Sequence, residues 1–373
     1  MKRYKPKPRL YRGFRDIFAS DLLMRQQMLD SIREVYELYG FAPLETPAVE
    51  FVETLGKFLP ESQTPDGGIF SFQNEDDEWI ALRYDLTASL SRVCAQYKDI
   101  QRPFRRCQVG PVYRLEKPGP DHFREFYQFD FDTVGTKSMM ADAEGCCVLC
   151  DALEKIGIER GNYLIKVNNR KILNGVLETS GVGLIDTSTD DSRAMNVLRS
   201  IDKYDRIGLK GVKELLTTGR EDASGDVMKG LGLSENEISP ILEYLQVGTG
   251  DRVEVCDQLE SIVGNSEIGM KGIEELREID KNLRCLGYEE GQIVFDPTVV
   301  RGLGYYTGPV FEAVLTFEVK DEKGRVKSFG SIGGGGRYDD LVKRFTGQEV
   351  PATGASIGVD RLLEALKLVG KLE

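Results

Sequence analysis

The sequence predicts an α+β fold in which a mostly antiparallel sheet is flanked by helices and interrupted by a helical insertion. Two observations support it. Segments with alternating apolar residues occur early in the chain and return near its end, whereas the stretch between them has mostly helical periodicity. We therefore expect residues 1–171 and 291–373 to be two parts of one sheet domain, and residues 172–290 to be the insertion.

The first predicted element is a helix over residues 21–39, with Ser20 as its N-cap and Gly40 as its stop. Its apolar positions recur near helical period: Leu22, Met28, Leu29, Ile32, Val35 and Leu38. Residues 41–47 are predicted to be extended, because each of two prolines disfavours helix in the residue before it. A strand is predicted at residues 79–83.

Two further strands are predicted at residues 108–114 and 126–134. In the second, Gln128, Asp130 and Asp132 share one face by period two. Aligned polar groups fit either a solvated edge or the floor of a polar pocket, and the period alone leaves both open.

The insertion contains two helix-start signals. Ser234 and Glu237 form a capping box, and Ser239-Pro240 indicates the start of a second helix. One apolar stripe predicts a buried helix face in the same region: Ala194, Val197, Leu198 and Ile201.

Strands are predicted again at residues 292–295 and 310–319, and an amphipathic helix at residues 357–370. Residues 330–338 read GSIGGGGRY, and four successive glycines indicate close approach of the backbone. The segment lacks the Gly-Lys-Ser/Thr ending of a Walker loop, but Arg337 directly after an apolar strand predicts a binding role.

Composition is that of a globular protein without a membrane span or secretory signal, so we expect a cytoplasmic location. The net charge of −12 repels polyanions on average, so a nucleic-acid contact requires a local patch or another domain. The first fifteen residues are strongly basic; a solvated, partly disordered tail is expected there, with an arm that binds nucleic acid as the alternative.

Cysteine and histidine usage excludes several chemistries. Cys146, Cys147 and Cys150 fall with Ala143 on one helical stripe, which predicts core packing and no metal site. The one histidine, His122, rules out a zinc enzyme with several histidine ligands, and a Ser-His-Asp triad would have to use it.

Three arginines lie at strand ends or at a helix start: Arg114, Arg301 and Arg361. Guanidinium groups bind phosphate and carboxylate in a bidentate manner. Carboxylates and amides elsewhere in the predicted sheet complete a set suited to a zwitterion: Asp85, Glu116, Gln128 and Asp132. This set indicates phosphoryl-type or adenylyl chemistry that depends on positioning and charge stabilisation.

The chain resembles class II histidyl-tRNA synthetases along nearly its whole length. GPVYRLE at 110–116 with FREFYQFD at 123–130 resembles motif 2 of class II, and GASIGVDR at 354–361 resembles motif 3. YGFAPLETP at 39–47 resembles motif 1. The histidine-specific segments are LRYDLT at 82–87, RGLGYYTGPVFE at 301–312 and GGGGRYD at 333–339.

The resemblance implies the class II catalytic fold and activation of histidine with ATP and Mg²⁺ to histidyl-adenylate, followed by transfer to tRNA. It implies Arg301 and Arg114 as catalytic residues. It implies histidine-binding residues, with the first three toward the amino group: Asp85, Thr87, Gln128, Asp132, Tyr305 and Tyr306. It implies ATP-binding residues: Arg114, Glu116, His122, Arg124 and Arg361.

The chain departs from the family at two places. Asp121-His122 stands where the family usually has Gly-Arg, which weakens the positive charge near the distal phosphates. The family's C-terminal anticodon-binding domain is absent from this sequence, so weak tRNA binding is expected. The resemblance to motif 1 implies a homodimer. The alternative is a histidine-binding relative, the regulatory subunit of ATP phosphoribosyltransferase; retention of Arg114, Arg301 and Arg361 favours the enzyme.

Overall fold

The computed structural model describes most of the chain. It covers residues 6–55, 68–119, 123–183, 192–221, 225, 227–302, 305–320, 326–327, 330–368 and 370. No helix in these ranges is long and apolar enough to cross a membrane.

The described residues form twelve helices. They are α1 (Ala19–Leu38), α2 (Val52–Leu55), α3 (Thr87–Gln96), α4 (Met140–Lys155), α5 (Arg170–Thr179), α6 (Arg193–Ile201), α7 (Tyr204–Leu216), α8 (Glu235–Gln246), α9 (Arg252–Val263), α10 (Glu267–Cys285), α11 (Lys343–Thr346) and α12 (Val359–Leu368).

Fifteen strands lie in the same ranges. They are β1 (Ala42–Pro43), β2 (Val49–Phe51), β3 (Ser71–Gln73), β4 (Trp79–Leu82), β5 (Phe104–Tyr113), β6 (Glu125–Val134), β7 (Tyr163–Asn169), β8 (Gly219–Glu221), β9 (Val227–Lys229), β10 (Ile293–Phe295), β11 (Pro309–Leu315), β12 (Val319–Lys320), β13 (Val326–Lys327), β14 (Ser331–Arg337) and β15 (Ala352–Gly358).

The chain divides into two compact units. The first comprises Met1–Ile100, Arg106–Phe131 and Ser356–Glu373; the second comprises Gln101–Arg105 and Asp132–Ala355. The domain boundaries after residues 171 and 290 stay a prediction.

In the first unit, β1 runs parallel to β5, and β5 lies next to β6. A small antiparallel sheet has the order β2-β4-β3. Helix α1 buries the middle of its predicted face, Met28 to Val35, but the prediction was wrong for Leu22 and Leu38, which are 40% and 86% exposed. The Tyr36 ring stacks edge-on against Phe129 with centroids 4.6 Å apart. Gly40 follows the helix with φ +77° and stops it, as predicted. The predicted N-cap was wrong: Ser20 lies inside α1, which begins at Ala19.

In the second unit, four strands have the order β14-β11-β7-β10. Strand β11 is antiparallel to both β14 and β7, and β10 is parallel to β7. The register places Glu312 opposite Lys166 on one side and Gly334 on the other. Side chains on one face of β11 therefore have neighbours on both adjoining strands.

Helices α5 to α10 also belong to this unit, with a β8–β9 hairpin among them. The predicted stripe on α6 is buried, and the Ser234 capping box is present at the start of α8. The predicted second helix start was wrong, because Pro240 lies inside α8. The three cysteines of α4 are fully buried as core, as predicted.

Candidate functional site

The predicted site residues fall in both units. The first unit holds the residues expected to bind ATP and the amino group: Asp85, Thr87, Arg114, Glu116, Arg124, Gln128 and Arg361. The second holds those expected to bind the imidazole and to stabilise charge: Asp132, Arg301, Tyr305 and Tyr306. His122 lies outside the described residues.

Arg114 lies directly after β5 and is half-buried. Its Nε donates to the Tyr84 carbonyl at 3.2 Å, and its guanidinium carbon lies 5.1 Å from the centroid of the Phe126 ring. These contacts hold the stem of the side chain on an aromatic surface. They fix a guanidinium beside the turn that carries Asp85.

Arg124 is joined to Arg114 through the backbone, since the Arg114 amide donates to the Arg124 carbonyl at 2.9 Å. The Arg124 Nε donates to the Glu116 carbonyl at 3.0 Å. The Glu116 side chain itself is exposed. The structure therefore brings these three motif 2 residues together around the ends of β5 and β6.

The turn before α3 carries Asp85 and Thr87, both half-buried. The Asp85 Oδ1 accepts from the Ala88 amide at 2.8 Å, so the carboxylate satisfies one of the free amides at the helix start. Thr87 is the first residue of α3. The helix start fixes the direction of the carboxylate.

Gln128 lies on β6 with one hydrogen-bonding end occupied. Its Nε2 donates to the Ser356 Oγ at 2.6 Å. Its Oε1 is buried and accepts no hydrogen bond from the residues that the structure describes. A buried amide oxygen of this kind is an acceptor suited to an ammonium group. Arg361, in the first turn of α12, is half-buried.

Asp132 is buried at 2% exposure, and it accepts a hydrogen bond from the Tyr338 hydroxyl. The Tyr338 ring lies 5.7 Å from Tyr305, which lies 5.0 Å from Tyr306 (centroid distances). The structure thus brings together three residues predicted to bind histidine, Asp132, Tyr305 and Tyr306, with Tyr338 between Asp132 and Tyr305.

The position before this tyrosine pair, Gly302, requires glycine. Its φ is +60°, and a Cβ placed there would lie 2.2 Å from the Tyr306 Cδ2. Any side chain would therefore displace the ring.

Arg301 is held against the sheet by four acceptors. Its Nη2 donates to the Glu312 Oε1 at 2.9 Å and to the Ser331 Oγ at 3.1 Å. Its Nη1 donates to the carbonyls of Gly333 at 3.2 Å and Phe311 at 3.4 Å. The side chain still keeps 30% of its surface exposed, so the guanidinium is oriented but accessible.

The glycine run makes room for this arginine. A Cβ at Gly334 would lie 1.4 Å from the Arg301 Nη1, so the guanidinium lies directly over that residue. A Cβ at Gly335 would instead lie 2.0 Å from the Gly354 carbonyl oxygen. The missing side chain of Gly334 therefore leaves space for Arg301, and that of Gly335 leaves space for the backbone at Gly354.

Charges alternate across the strands beside Arg301. Glu312 lies opposite Lys166 on β7, and the Lys166 Nζ is 2.8 Å from the Asp296 Oδ2. Burial lowers the pKa of Lys166, but the ion pair outweighs burial and leaves the pKa raised. Burial raises the pKa of Asp202 at the end of α6, against the opposing charge of Arg206 and then Arg301.

Arg337 has a structural position, and the predicted binding role was wrong. Its side chain is 2% exposed and paired with the buried Asp142. It also donates to the carbonyls of Thr136 at 3.1 Å and Ser138 at 3.2 Å. Burial lowers the pKa of Arg337, but the Asp142 carboxylate outweighs burial and leaves the pKa raised. The guanidinium fixes the turn before α4.

Three residues of the site received no role from the sequence: Glu312, Ser331 and Tyr338. Glu312 and Tyr338 lie inside the quoted histidine-specific segments, and that location is the signal that could have found them. Within the described ranges, no three His, Cys, Asp or Glu side chains come together as a metal site.

The sequence matches a protein-family model described as histidyl-tRNA synthetase over residues 13–362. Two relatives named histidine–tRNA ligase come from Dinoroseobacter shibae and Cereibacter sphaeroides. They are 54% identical over 371 residues and 55% identical over 369 residues. The alignments cover 99% and 98% of this chain and 75% of each relative.

A solved histidyl-tRNA synthetase from Nostoc sp. PCC 7120 is similar in structure, with a TM-score of 0.77 and 29% identity. The match covers 99% of this chain and 77% of that chain. A Bacillus halodurans structure described as an ATP phosphoribosyltransferase regulatory subunit/histidyl-tRNA synthetase has a TM-score of 0.76 at 24% identity, covering 97% of this chain and 84% of that one. At that identity it shows the fold alone. The predicted class II catalytic fold is confirmed.

Proposed function

The chain belongs to the histidyl-tRNA synthetase family, and on that premise we propose how its residues activate histidine. The activity is that of a histidine–tRNA ligase, a class II aminoacyl-tRNA synthetase. In the first step the histidine carboxylate attacks the α-phosphorus of ATP, a P–O bond forms, and pyrophosphate leaves. In the second step the tRNA 3′ hydroxyl attacks the acyl carbon, and AMP leaves.

The position of Arg301 is the observation that carries the proposal. Its guanidinium is fixed by Glu312, Ser331 and the Gly333 carbonyl, yet it remains partly exposed. A preorganised cation stabilises negative charge that develops on the α-phosphate without reorganising during the reaction. Arg301 and Arg114 would act as the catalytic residues, Arg301 also contacting the substrate carboxylate.

Histidine would be bound through both of its polar ends. Asp85, Thr87 and Gln128 would bind the α-amino group, and the buried Gln128 Oε1 supports this assignment because it is an acceptor still to be satisfied. Asp132, Tyr305 and Tyr306 would bind the imidazole, which the cluster around Tyr338 supports.

ATP would be bound by residues beside β5, β6 and α12: Arg114, Glu116, His122, Arg124 and Arg361. ATP enters as its Mg²⁺ complex, so the metal ion arrives on the phosphates as part of the substrate. The planar guanidinium groups of Arg114 and Arg124 suit phosphate oxygens. Asp121-His122 supplies less positive charge than Gly-Arg would, which predicts slower adenylation.

We also propose a two-fold homodimer in the cytoplasm, the compartment that holds tRNA. Large apolar side chains of the first unit are exposed near the segment that resembles motif 1: Phe18 (77%), Leu23 (67%), Leu38 (86%), Phe51 (43%) and Phe72 (45%). An isologous interface would cover such a surface. Sedimentation that finds only monomer at micromolar concentration would contradict the dimer.

The regulatory-subunit alternative is not favoured. The relatives at 54% and 55% identity are named as ligases, whereas the similarity to the Bacillus halodurans protein is structural.

The proposed function is tested by pyrophosphate exchange. We expect histidine-dependent incorporation of labelled pyrophosphate into ATP with Mg²⁺ and no tRNA. A histidine-binding sensor would bind histidine in calorimetry but give no exchange. Folded, histidine-binding protein without exchange would therefore contradict the proposal.

A further inference from the structure

The N-terminal arm, residues 6–15, is anchored at its end to the rest of the first unit. The Arg124 amide donates to the Gly13 carbonyl at 2.8 Å, and the Arg124 guanidinium carbon lies 5.4 Å from the Tyr11 ring centroid. Arg15 forms an ion pair with Asp360 and lies 4.0 Å from the Phe123 ring centroid. These contacts hold the end of the arm, whereas Lys7, Arg9 and Arg12 are exposed, so the expectation of a solvated, partly disordered tail stays a prediction for the residues before them.

Aromatic packing fixes the same segment from its other side. The Phe14 ring lies 5.6 Å from Tyr11 and 5.9 Å from Phe70, between centroids. Gly13 has φ +89°, and a Cβ there would lie 2.8 Å from the Arg124 Cγ. The arm therefore passes directly against Arg124, one of the residues predicted to bind ATP.

The arm carries uncompensated positive charge. It contains Lys7, Arg9, Arg12 and Arg15 and no acidic residue, and among the described residues only Arg15 has an ion-pair partner. The other three are exposed and form no ion pair with any residue that the structure describes. Three exposed cations on a chain of net charge −12 form a local anion-binding surface.

We propose that the N-terminal arm binds the phosphate backbone of the tRNA acceptor end, with Lys7 and Arg9 as phosphate contacts and Tyr11 as an exposed ring beside them. This proposal rests on the proposed function, which requires the tRNA 3′ end to reach the adenylate. Closely spaced cations interleaved with an aromatic ring suit a flexible RNA end, because charge attracts the backbone and the ring stacks on bases. Tyr11 keeps 59% of its surface exposed.

The anchoring of Gly13 keeps the cations of the arm near the predicted ATP site. Because Gly13 is hydrogen-bonded to Arg124, the cations six and four residues before Gly13 remain close in sequence to a fixed point on the predicted ATP site. A free tail would lose more conformational entropy on binding than a tethered one. The arm thus combines positive charge with a short connection to a fixed residue, which lowers the entropy lost on binding.

The test compares two double variants of the full chain. Lys7→Ala/Arg9→Ala removes two arm cations, and Lys98→Ala/Lys281→Ala removes two exposed cations elsewhere. The probe is a fluorescein-labelled RNA hairpin with the histidine tRNA acceptor stem and a CCA end. Binding is followed by anisotropy over a series of salt concentrations, and thermal unfolding checks that each variant is folded.

We expect the arm variant to bind the hairpin about 10-fold more weakly near 0.15 M salt, with a salt slope reduced by about 1.5. The matched variant should change little, and pyrophosphate exchange should be unchanged in both. Equal loss in the two variants, or no loss in the arm variant, would overturn the proposal. Absence of exchange in the unmodified chain would instead contradict the proposed function, so the two failures are distinguishable.

Discussion

Strand β14 runs between two arginines with opposite surroundings. At its glycine-rich start, Arg301 lies over Gly334 with 30% of its side chain exposed; it is paired with Glu312 and also donates to three neutral oxygens. At its end, Arg337 is 2% exposed and paired with Asp142. The same side chain therefore has two roles within one sheet.

The difference teaches that exposure and the partner set indicate the role of an arginine better than its place after an apolar strand. A buried guanidinium in an ion pair stabilises the fold, since either partner left alone would be an unpaired buried charge. A guanidinium that is paired with one carboxylate at one edge, and is otherwise held by neutral oxygens and partly exposed, can still bind an anionic ligand.

The largest effect on stability is expected at the Arg337 end. Arg337→Met leaves the fully buried Asp142 without its cation, and the free energy of unfolding should fall by about 3–5 kcal/mol. Urea denaturation measures it. The double variant Arg337→Met/Asp142→Leu should recover most of the loss. If the single variant is as stable as the parent, the Arg337–Asp142 pair does not stabilise the fold.

Adjacent glycines should separate stability from activity. Gly335→Ala places a Cβ against the Gly354 carbonyl and should destabilise by about 1–3 kcal/mol. Gly334→Ala places a Cβ 1.4 Å from the Arg301 Nη1 and 2.8 Å from the Phe311 carbonyl oxygen. Because the nearest atom is the end of a flexible side chain, it should destabilise less than Gly335→Ala, by about 1 kcal/mol, while pyrophosphate exchange falls about 10-fold or more. If the two variants have equal unfolding free energies and equal exchange rates, the proposed difference between Gly334 and Gly335 is wrong.

A smaller effect is expected at Tyr338. Tyr338→Phe removes the hydrogen bond to Asp132 and should weaken histidine binding by about 0.5–1.5 kcal/mol, measured by calorimetry. Tyr244→Phe is a control, since Tyr244 is a buried hydroxyl hydrogen-bonded to Asn168. It should lower thermal stability without changing histidine affinity. If both variants lose histidine affinity equally, the assignment of the imidazole site is wrong.

Most elements were predictable because their apolar positions follow a local period. Helix α1 and strand β6 are examples, with the Gly40 stop and the Ser234 capping box. The misplaced helix starts depend on distant contacts. Residues before α1 are held by the Arg15–Asp360 pair. Helix α8 continues through Pro240 because the buried residues on either side of it, Ile238 and Ile241, share a packed face.

The candidate site was only partly predictable. Arg301 followed from its place at a strand end, Asp132 from the polar face of a strand, and both from the family resemblance. Their partners Glu312 and Tyr338 depend on strand register and on residues far apart in sequence, which periodicity does not contain. Arg337 was misassigned because its burial and its pairing with Asp142, 195 residues away, are tertiary facts.

The most direct test of the central claim is Arg301→Ala, with exchange and histidine affinity measured on the same preparation. If Arg301 stabilises charge on the α-phosphate, pyrophosphate exchange should fall about 100-fold or more, while the histidine dissociation constant rises by about 10-fold at most and the protein stays folded. Exchange within a few-fold of the parent, or a loss of histidine affinity as large as the loss of exchange, would contradict the account.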